Sequence, residues 1–287
     1  MDKDHQRSTL THHPAPRGPH DPHPPLLAAW AWLVYAFLYL PILVLIVFSF
    51  NESRFGAEWT GFTTKWYGVL LGRADVRAAL GHTLQVALLS TLVSTVLGTL
   101  TGLGLWRYTS RARAALSTLL VLPIVIPDVV MGVMLLMFYA AVRAGLERAG
   151  WTFDNGFWTV LLAHVTFQIS YVALTVRSRL SGYGPELEEA ARDLGASAWQ
   201  SFWRVVLPLA WPGVLAGALL AFTLSLDDFV VTYFTSGSGF QTLPVLIYTN
   251  VKRGVTPDIN ALSTLLILVT VVAVLVANAL LRPRRKA

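Results

Sequence analysis

Residues 186–208 read Glu186-Leu187-Glu188-Glu189-Ala190-Ala191-Arg192-Asp193-Leu194-Gly195, then Ala196-Ser197-Ala198-Trp199-Gln200-Ser201-Phe202-Trp203-Arg204-Val205-Val206-Leu207-Pro208. The stretch is polar and amphipathic, yet it lies between two segments apolar enough to cross a membrane. Gly184 and Pro185 suit a helix start, because proline is favoured at the first helical position. Glu186, Glu188 and Glu189 complement the positive N-terminal end of such a helix. Leu187, Ala190, Ala191 and Leu194 recur at helical spacing, with most charges on the other face. Gly195 can adopt a positive φ and end that helix. Ser197 with Gln200 three residues on reads as the capping box of a second helix, whose apolar face is Trp199, Phe202, Trp203 and Val206. Pro208 is expected to end it. A helix–glycine–helix knob presented at a membrane surface is a docking element.

The rest of the chain explains why the knob stands at a membrane. Of 287 residues, 13% are charged, about half the roughly 25% usual in soluble domains, and the mean hydropathy is +0.56. The composition is that of a polytopic membrane protein. Cysteine is absent, which excludes disulfides, a thiol nucleophile and Cys-ligated metal. The net charge of +6 does not point to nucleic acid, because the basic residues lie in short loops beside apolar spans.

Six segments approach the roughly 20 residues that a bilayer core requires: about 26–50, 83–105, 116–141, 158–176, 213–234 and 261–281. They make up a transmembrane domain over 26–282, with the knob at 184–208 and a basic tail at 283–287. Pro41 in the first span and Pro123 and Pro127 in the third predict kinks. Gly98 with Gly102, and Gly213 with Gly217, have the GxxxG spacing that permits close helix packing. Residues 1–25 hold five of the seven histidines and six prolines. That composition cannot build a core and is expected to be disordered. It lacks the small-residue cleavage site of a signal peptide. With the N-terminus inside, the cytoplasmic segments carry 14 Lys and Arg against 8 in outer loops of similar total length. The positive-inside rule therefore puts both termini and the 186–208 knob in the cytoplasm.

The pattern Glu189-Ala190-Ala191, three residues, Gly195, nine residues, Val205-Val206-Leu207-Pro208 resembles the EAA loop of binding-protein-dependent ABC importer permeases. The family form ends I-x-L-P, and here only the isoleucine is replaced, by Val205. The resemblance implies an all-α membrane protein with six transmembrane helices, a type I ABC importer permease (MetI-like) core with a cytoplasmic EAA coupling helix. It implies that Glu189, Ala190, Ala191, Gly195, Leu207 and Pro208 belong to a coupling element seated in a groove on a separate cytoplasmic ATPase. Glu189 would make a polar contact, Ala190 and Ala191 allow close approach, and Gly195 set the bend. It further implies partners: two copies of the ATPase, which bind ATP and Mg, a homologous permease subunit and an extracytoplasmic substrate-binding protein, all at a bacterial inner membrane.

Further stretches narrow the resemblance to the second permease subunit of spermidine/putrescine importers. They are Phe50 to Phe55, Trp59 to Tyr67, Ile126-Pro127-Asp128-Val129-Val130-Met131, Leu224 to Val231 and Gly254 to Ala261; the likeness covers nearly all of 26–281. Asp128, Asp227 and Asp228 lie within or at the ends of spans, where a carboxylate costs roughly 2.5–3.5 kcal/mol at mid-membrane on insertion scales. A polyamine carries two or more ammonium groups, so these acids, with Phe229, Tyr233 and Trp66, offer charge and cation–π contacts. A second reading stands beside this one: Asp227 and Asp228 cap a helix near the outer end of their span, and Asp128 starts a helix segment after Pro127. His164 reads as a packed intramembrane hydrogen-bonder, and His82 as a span-end residue.

No lysine follows a glycine anywhere in the chain, which excludes a phosphate-binding loop of the G-x-x-x-x-G-K-[ST] type. No Cys/His metal cluster or nucleophile elbow is present, so no cofactor or metal is expected in this chain. The sequence thus predicts a non-enzymatic permease subunit for polyamines. The rival readings are the same fold carrying an opine, an amino-acid derivative or a ferric complex, and, from another class, an ion-driven carrier or channel.

Overall fold

A computed structural model describes residues 25–53, 58–108, 111–184 and 186–281. The His/Pro-rich segment over 1–24, Pro185 and the basic tail at 283–287 lie outside the described residues. Among those residues the structure is helical, with one isolated antiparallel bridge between Asn51 and Phe62. The helices are α1 (Pro25–Phe48), α2 (Lys65–Gly72), α3 (Ala74–Arg107), α4 (Arg111–Val125), α5 (Asp128–Arg148) and α6 (Phe157–Leu180). They continue as α7 (Glu186–Asp193), α8 (Ala198–Ser201), α9 (Leu207–Asp227), α10 (Val230–Thr235), α11 (Leu243–Val251) and α12 (Pro257–Leu281). Among the described residues, six helical stretches are long and apolar enough to cross a membrane: Leu26–Phe48, Ala74–Arg107, Asp128–Arg148, Phe157–Leu180, Ala198–Asp227 and Pro257–Val276.

The chain divides into two units, before and after Val44. In the first, the described residues are the greater part of α1, apolar along its length and exposed. A helix apolar all round belongs in lipid or against another membrane subunit. The second unit begins at Leu45 and holds everything discussed below.

Its centre is α6, packed between α3 and α9. Small residues make this possible. A Cβ added at Gly98 would lie 2.6 Å from Val172 Cβ, and one at Gly102 would lie 2.6 Å from the Ala173 carbonyl oxygen. On the other side, a Cβ at Gly213 would lie 2.7 Å from Arg179 Cβ, and one at Gly217 would lie 3.2 Å from Val172 Cα. Both GxxxG pairs therefore seat the same helix, α6, around Val172 and Val176. Without a hydrophobic drive between helices in lipid, such close backbone approach supplies much of the packing energy. Gly98→Leu should cost a few kcal/mol through overpacking. The expected result is a lower thermal aggregation temperature for the purified transporter, whereas Gly104→Leu, with open space around it, should leave it near wild type.

Several buried polar side chains inside this bundle pair with one another. Gln168 Nε2 donates to Ser90 Oγ at 3.1 Å and to the Ala221 carbonyl at 3.1 Å, while its Oε1 accepts from Ser94 Oγ at 2.9 Å. At one end of the bundle, Arg73 joins Asp75 at 2.6 Å and Asp258 at 2.8 Å, tying the start of α3 to α12. The hydrogen bonds that Arg73 donates to Asp75, with both carboxylates' charge, outweigh partial burial and hold the Arg73 guanidinium above its ordinary value.

Two expected spans are interrupted. The segment expected over 116–141 is two helices, because Pro127 takes φ −57 and ψ 138 between α4 and α5. Proline supplies no N–H and disfavours helical geometry in the residue before it. Pro41 and Pro123 instead sit inside continuous helices. The segment expected over 213–234 breaks at Asp228, whose ψ of 119 is extended. The α3 and α6 helices also run beyond the expected 83–105 and 158–176, as amphipathic ends outside the apolar stretch continue each helix.

Candidate functional site

Two regions carry the residues singled out by sequence. The first is the knob. α7 ends in a tight turn: Gly195 has φ +87, and its N–H reaches the Arg192 carbonyl at 2.8 Å, while the Ala196 N–H reaches the Ala191 carbonyl at 3.0 Å. Glycine adopts this left-handed geometry without the steric cost of a Cβ. Ser197 and Gln200 then exchange the two hydrogen bonds of a capping box, at 2.9 and 3.2 Å.

Pro208 does not end the second helix. The chain runs from α8 through a π-helical stretch, Phe202–Val206, straight into α9, with Pro208 in the first turn of α9. The Leu207 N–H reaches back five residues to the Phe202 carbonyl. The wider turn accommodates a ring that would otherwise collide with the preceding turn. The second helix of the knob is therefore continuous with a membrane helix.

The anchor of α7 is Glu188, which sequence reading placed only at the positive end of the helix. Glu188 is 7% exposed, and its Oε1 meets Arg107 Nη2 of α3 at 2.7 Å and Arg192 Nη2 at 2.8 Å. Trp106 Nε1 adds a hydrogen bond to the Tyr183 carbonyl at 3.1 Å. The i,i+4 spacing of Glu188 and Arg192 was a visible signal; the link to Arg107, 81 residues away, was not. Apart from Glu188 and the half-buried Ala191, α7 is exposed, its apolar residues with its charged ones. Leu187 is 45% exposed and Leu194 90% exposed, with Glu189 and Ala190 also exposed and Ala191 half-buried. Leu207 is half-buried and Pro208 exposed at the start of α9. An apolar stripe left uncovered by its own chain marks an interaction surface.

The second region is a cavity of about 290 Å³ where α4, α5, α6, α9 and α10 meet; Asp128, Asp227, Asp228, Phe167, Tyr171 and Phe229 line it with neighbouring apolar residues. The two breaks described above put all three acids there. Asp128 is the first residue of α5, where a carboxylate complements the helix dipole. Asp228 accepts from the Val231 N–H at 3.3 Å, the Thr232 N–H at 2.8 Å and Thr232 Oγ1 at 2.7 Å. It is a helix cap and a cavity wall at once. Asp227 is exposed and, among the described residues, has no ion-pair partner. Tyr233 packs on Phe229 at 5.4 Å between ring centroids and on Tyr248 at 5.8 Å, and Phe229 meets Tyr248 at 4.3 Å. Trp66 is elsewhere. It is buried among Leu70, Leu243 and Leu246, and its Nε1 donates to the Asn51 carbonyl at 2.7 Å.

Residues 94–284 match the family described as the binding-protein-dependent transport system inner membrane component. The chain belongs to that family. This permease is 42% identical over 253 residues to the spermidine/putrescine transport system permease protein PotC of Escherichia coli K12, covering 88% of this chain and 92% of the relative. It is 41% identical over 236 residues to the putrescine transport system permease protein PotI of the same strain, covering 82% and 83%. Among solved structures, a chain of a bacterial ABC transporter for the acidic polysaccharide alginate superposes with a TM-score of 0.69 at 21% identity, covering 91% of the permease and 96% of that chain. A chain of the inward-facing MetNI methionine ABC transporter gives 0.60 at 19% identity, covering 77% and 98%. The fold is that of an ABC importer permease, and the permease is a multi-pass membrane transport subunit rather than an enzyme. Membership implies a separate ATPase and a binding protein as partners.

Proposed function

We propose that the chain is one of two paired membrane subunits of an ATP-driven importer for polyamines such as putrescine and spermidine. The observation that carries the cargo assignment is the cavity: three carboxylates meet at one break-lined space, beside a wall of Phe229, Tyr233 and Tyr248. A flexible chain of ammonium groups finds there both opposite charge and aromatic faces. An ammonium already rests on this wall, since Lys252 Nζ lies 4.6 Å from the Tyr248 ring centroid. The relatives named for polyamine transport support the same cargo.

In this reading both termini and the 186–208 knob are cytoplasmic, following the excess of Lys and Arg on that side. Glu189, Ala190, Ala191 and Gly195 meet the ATPase, and Leu207 and Pro208 join the knob to α9. The ATPase binds ATP and Mg. When its dimer closes it draws the knobs of this chain and its homologous partner together, and the continuous α8–α9 helix carries that motion to the Asp227–Asp228 break. An external binding protein delivers the cargo.

The test is uptake of labelled putrescine and spermidine by cells without native polyamine import, carrying this chain with its neighbouring transporter subunits. Saturable uptake, competed by unlabelled polyamine and not by neutral amino acids or opines, is expected. Absence of polyamine uptake with all subunits present in the membrane would overturn the cargo assignment.

A further inference from the structure

His164, on α6, is 1% exposed and touches neither the knob nor open cavity. Its Nδ1 lies 2.7 Å from Ser225 Oγ on α9, and its Nε2 lies 2.9 Å from Thr232 Oγ1 on α10 and 3.3 Å from Asp228 Oδ2. The Thr232 hydroxyl itself donates to Asp228 Oδ2. Of the two neutral tautomers, one gives every donor an acceptor. The Ser225 hydroxyl donates to Nδ1, Nε2–H donates to the Thr232 hydroxyl, and that hydroxyl donates on to the carboxylate. The chain of hydrogen bonds runs from Ser225 on α9, through His164 on α6, to Thr232 on α10, whose hydroxyl meets the negative charge of Asp228 in the break. Its two ends, Ser225 and Thr232, lie on opposite sides of the helix break.

We propose that His164 is a positioning residue for the acidic cavity. It holds α9 and α10 in fixed register across their break, so that Asp228 is engaged as the cap of α10 and its neighbour Asp227 is the carboxylate presented to a cargo ammonium. This rests on the cavity being the cargo path. The contrast between the two acids supports it: Asp228 is held by Val231, Thr232 and His164, whereas Asp227 is exposed with no ion-pair partner among the described residues. One turn further along α6, Gln168 also bridges α3 and α9 but touches neither acid. Gln168 is therefore a built-in control for a purely structural role.

The experiment measures polyamine uptake per assembled transporter, the amount of transporter being read from the purified complex. His164→Leu leaves the Ser225 and Thr232 hydroxyls without their ring partner, and uptake should fall by about tenfold or more. His164→Gln, which keeps a donor and an acceptor, should recover most of it. In an Asp227→Asn background His164→Leu should add little further loss, because the group it positions is already gone. Gln168→Met should lower the amount of assembled transporter, and any loss it causes should multiply with that of Asp227→Asn. The positioning role is overturned if His164→Leu transports normally per complex, if His164→Gln gives no recovery, or if its loss multiplies with that of Asp227→Asn. Normal uptake by Asp227→Asn alone would instead overturn the cavity as cargo path, and the positioning role with it.

Discussion

Gly195→Glu is expected to abolish uptake while the chain still inserts and assembles with its partner permease. Two effects act together. At φ +87 most residues with a Cβ, glutamate among them, strain the turn by roughly 1–2 kcal/mol. The new carboxylate also stands beside exposed Leu194, on the face that meets the ATPase in the proposed assembly. The turn is far from the α3–α6–α9 packing, so the membrane bundle should be unaffected. Gly195→Asn separates the two effects, since asparagine tolerates the left-handed region and adds no charge. It should retain uptake within severalfold. Co-purification of the ATPase, lost in Gly195→Glu and kept in Gly195→Asn, is the direct check. Normal uptake by the glutamate variant would refute the knob as coupling element.

Glu188→Ala should be nearly as damaging, though it alters no residue of the EAA pattern. The Glu188 carboxylate joins α7 to the end of α3, through Arg107, and it pairs with Arg192 within α7. Removing it leaves two half-exposed guanidiniums that water can satisfy, so the chain should fold. The knob, however, loses charge-assisted hydrogen bonds worth about 1.5–3 kcal/mol. A loosened knob transmits less of the ATPase movement, and uptake should drop at least tenfold. Arg107→Ala should reproduce much of the defect, and the double variant should be little worse than Glu188→Ala alone. Trypsin sensitivity at Arg192 in inside-out vesicles should rise in both single variants. Wild-type uptake and protease resistance in Glu188→Ala would disprove the anchor.

The parts of the molecule that were legible in the sequence share a local cause. The Gly195 turn, the Ser197–Gln200 box and the six apolar stretches each depend on residues within a turn or two of one another, so spacing alone carries them. The GxxxG pairs were visible as spacing, but not as two faces seating one helix. That needed the positions of Val172 and Val176 on α6. Pro208 misled because proline's local meaning, a helix end, was overridden by a π-helical turn that absorbs its ring. Trp66 misled for a related reason: aromatic character says what a ring can bind but not whether it is buried, and here the Asn51 carbonyl and the α11 and α12 side chains claim it.

From the sequence alone followed the class of the protein, its number of apolar spans, the knob with its glycine bend, and the three acids whose presence in such spans needs explaining. Composition and short-range periodicity are sufficient for these, since each reflects a solvent preference or a hydrogen bond between near neighbours. Only the tertiary structure decided which acid is held and which is open, that Glu188 rather than Glu189 anchors the knob, and that His164 bridges the break between α9 and α10. Those assignments join residues 61 to 81 positions apart. In a membrane interior a buried polar group must find its partner wherever the packed helices bring one within reach, and sequence separation places almost no limit on where that is.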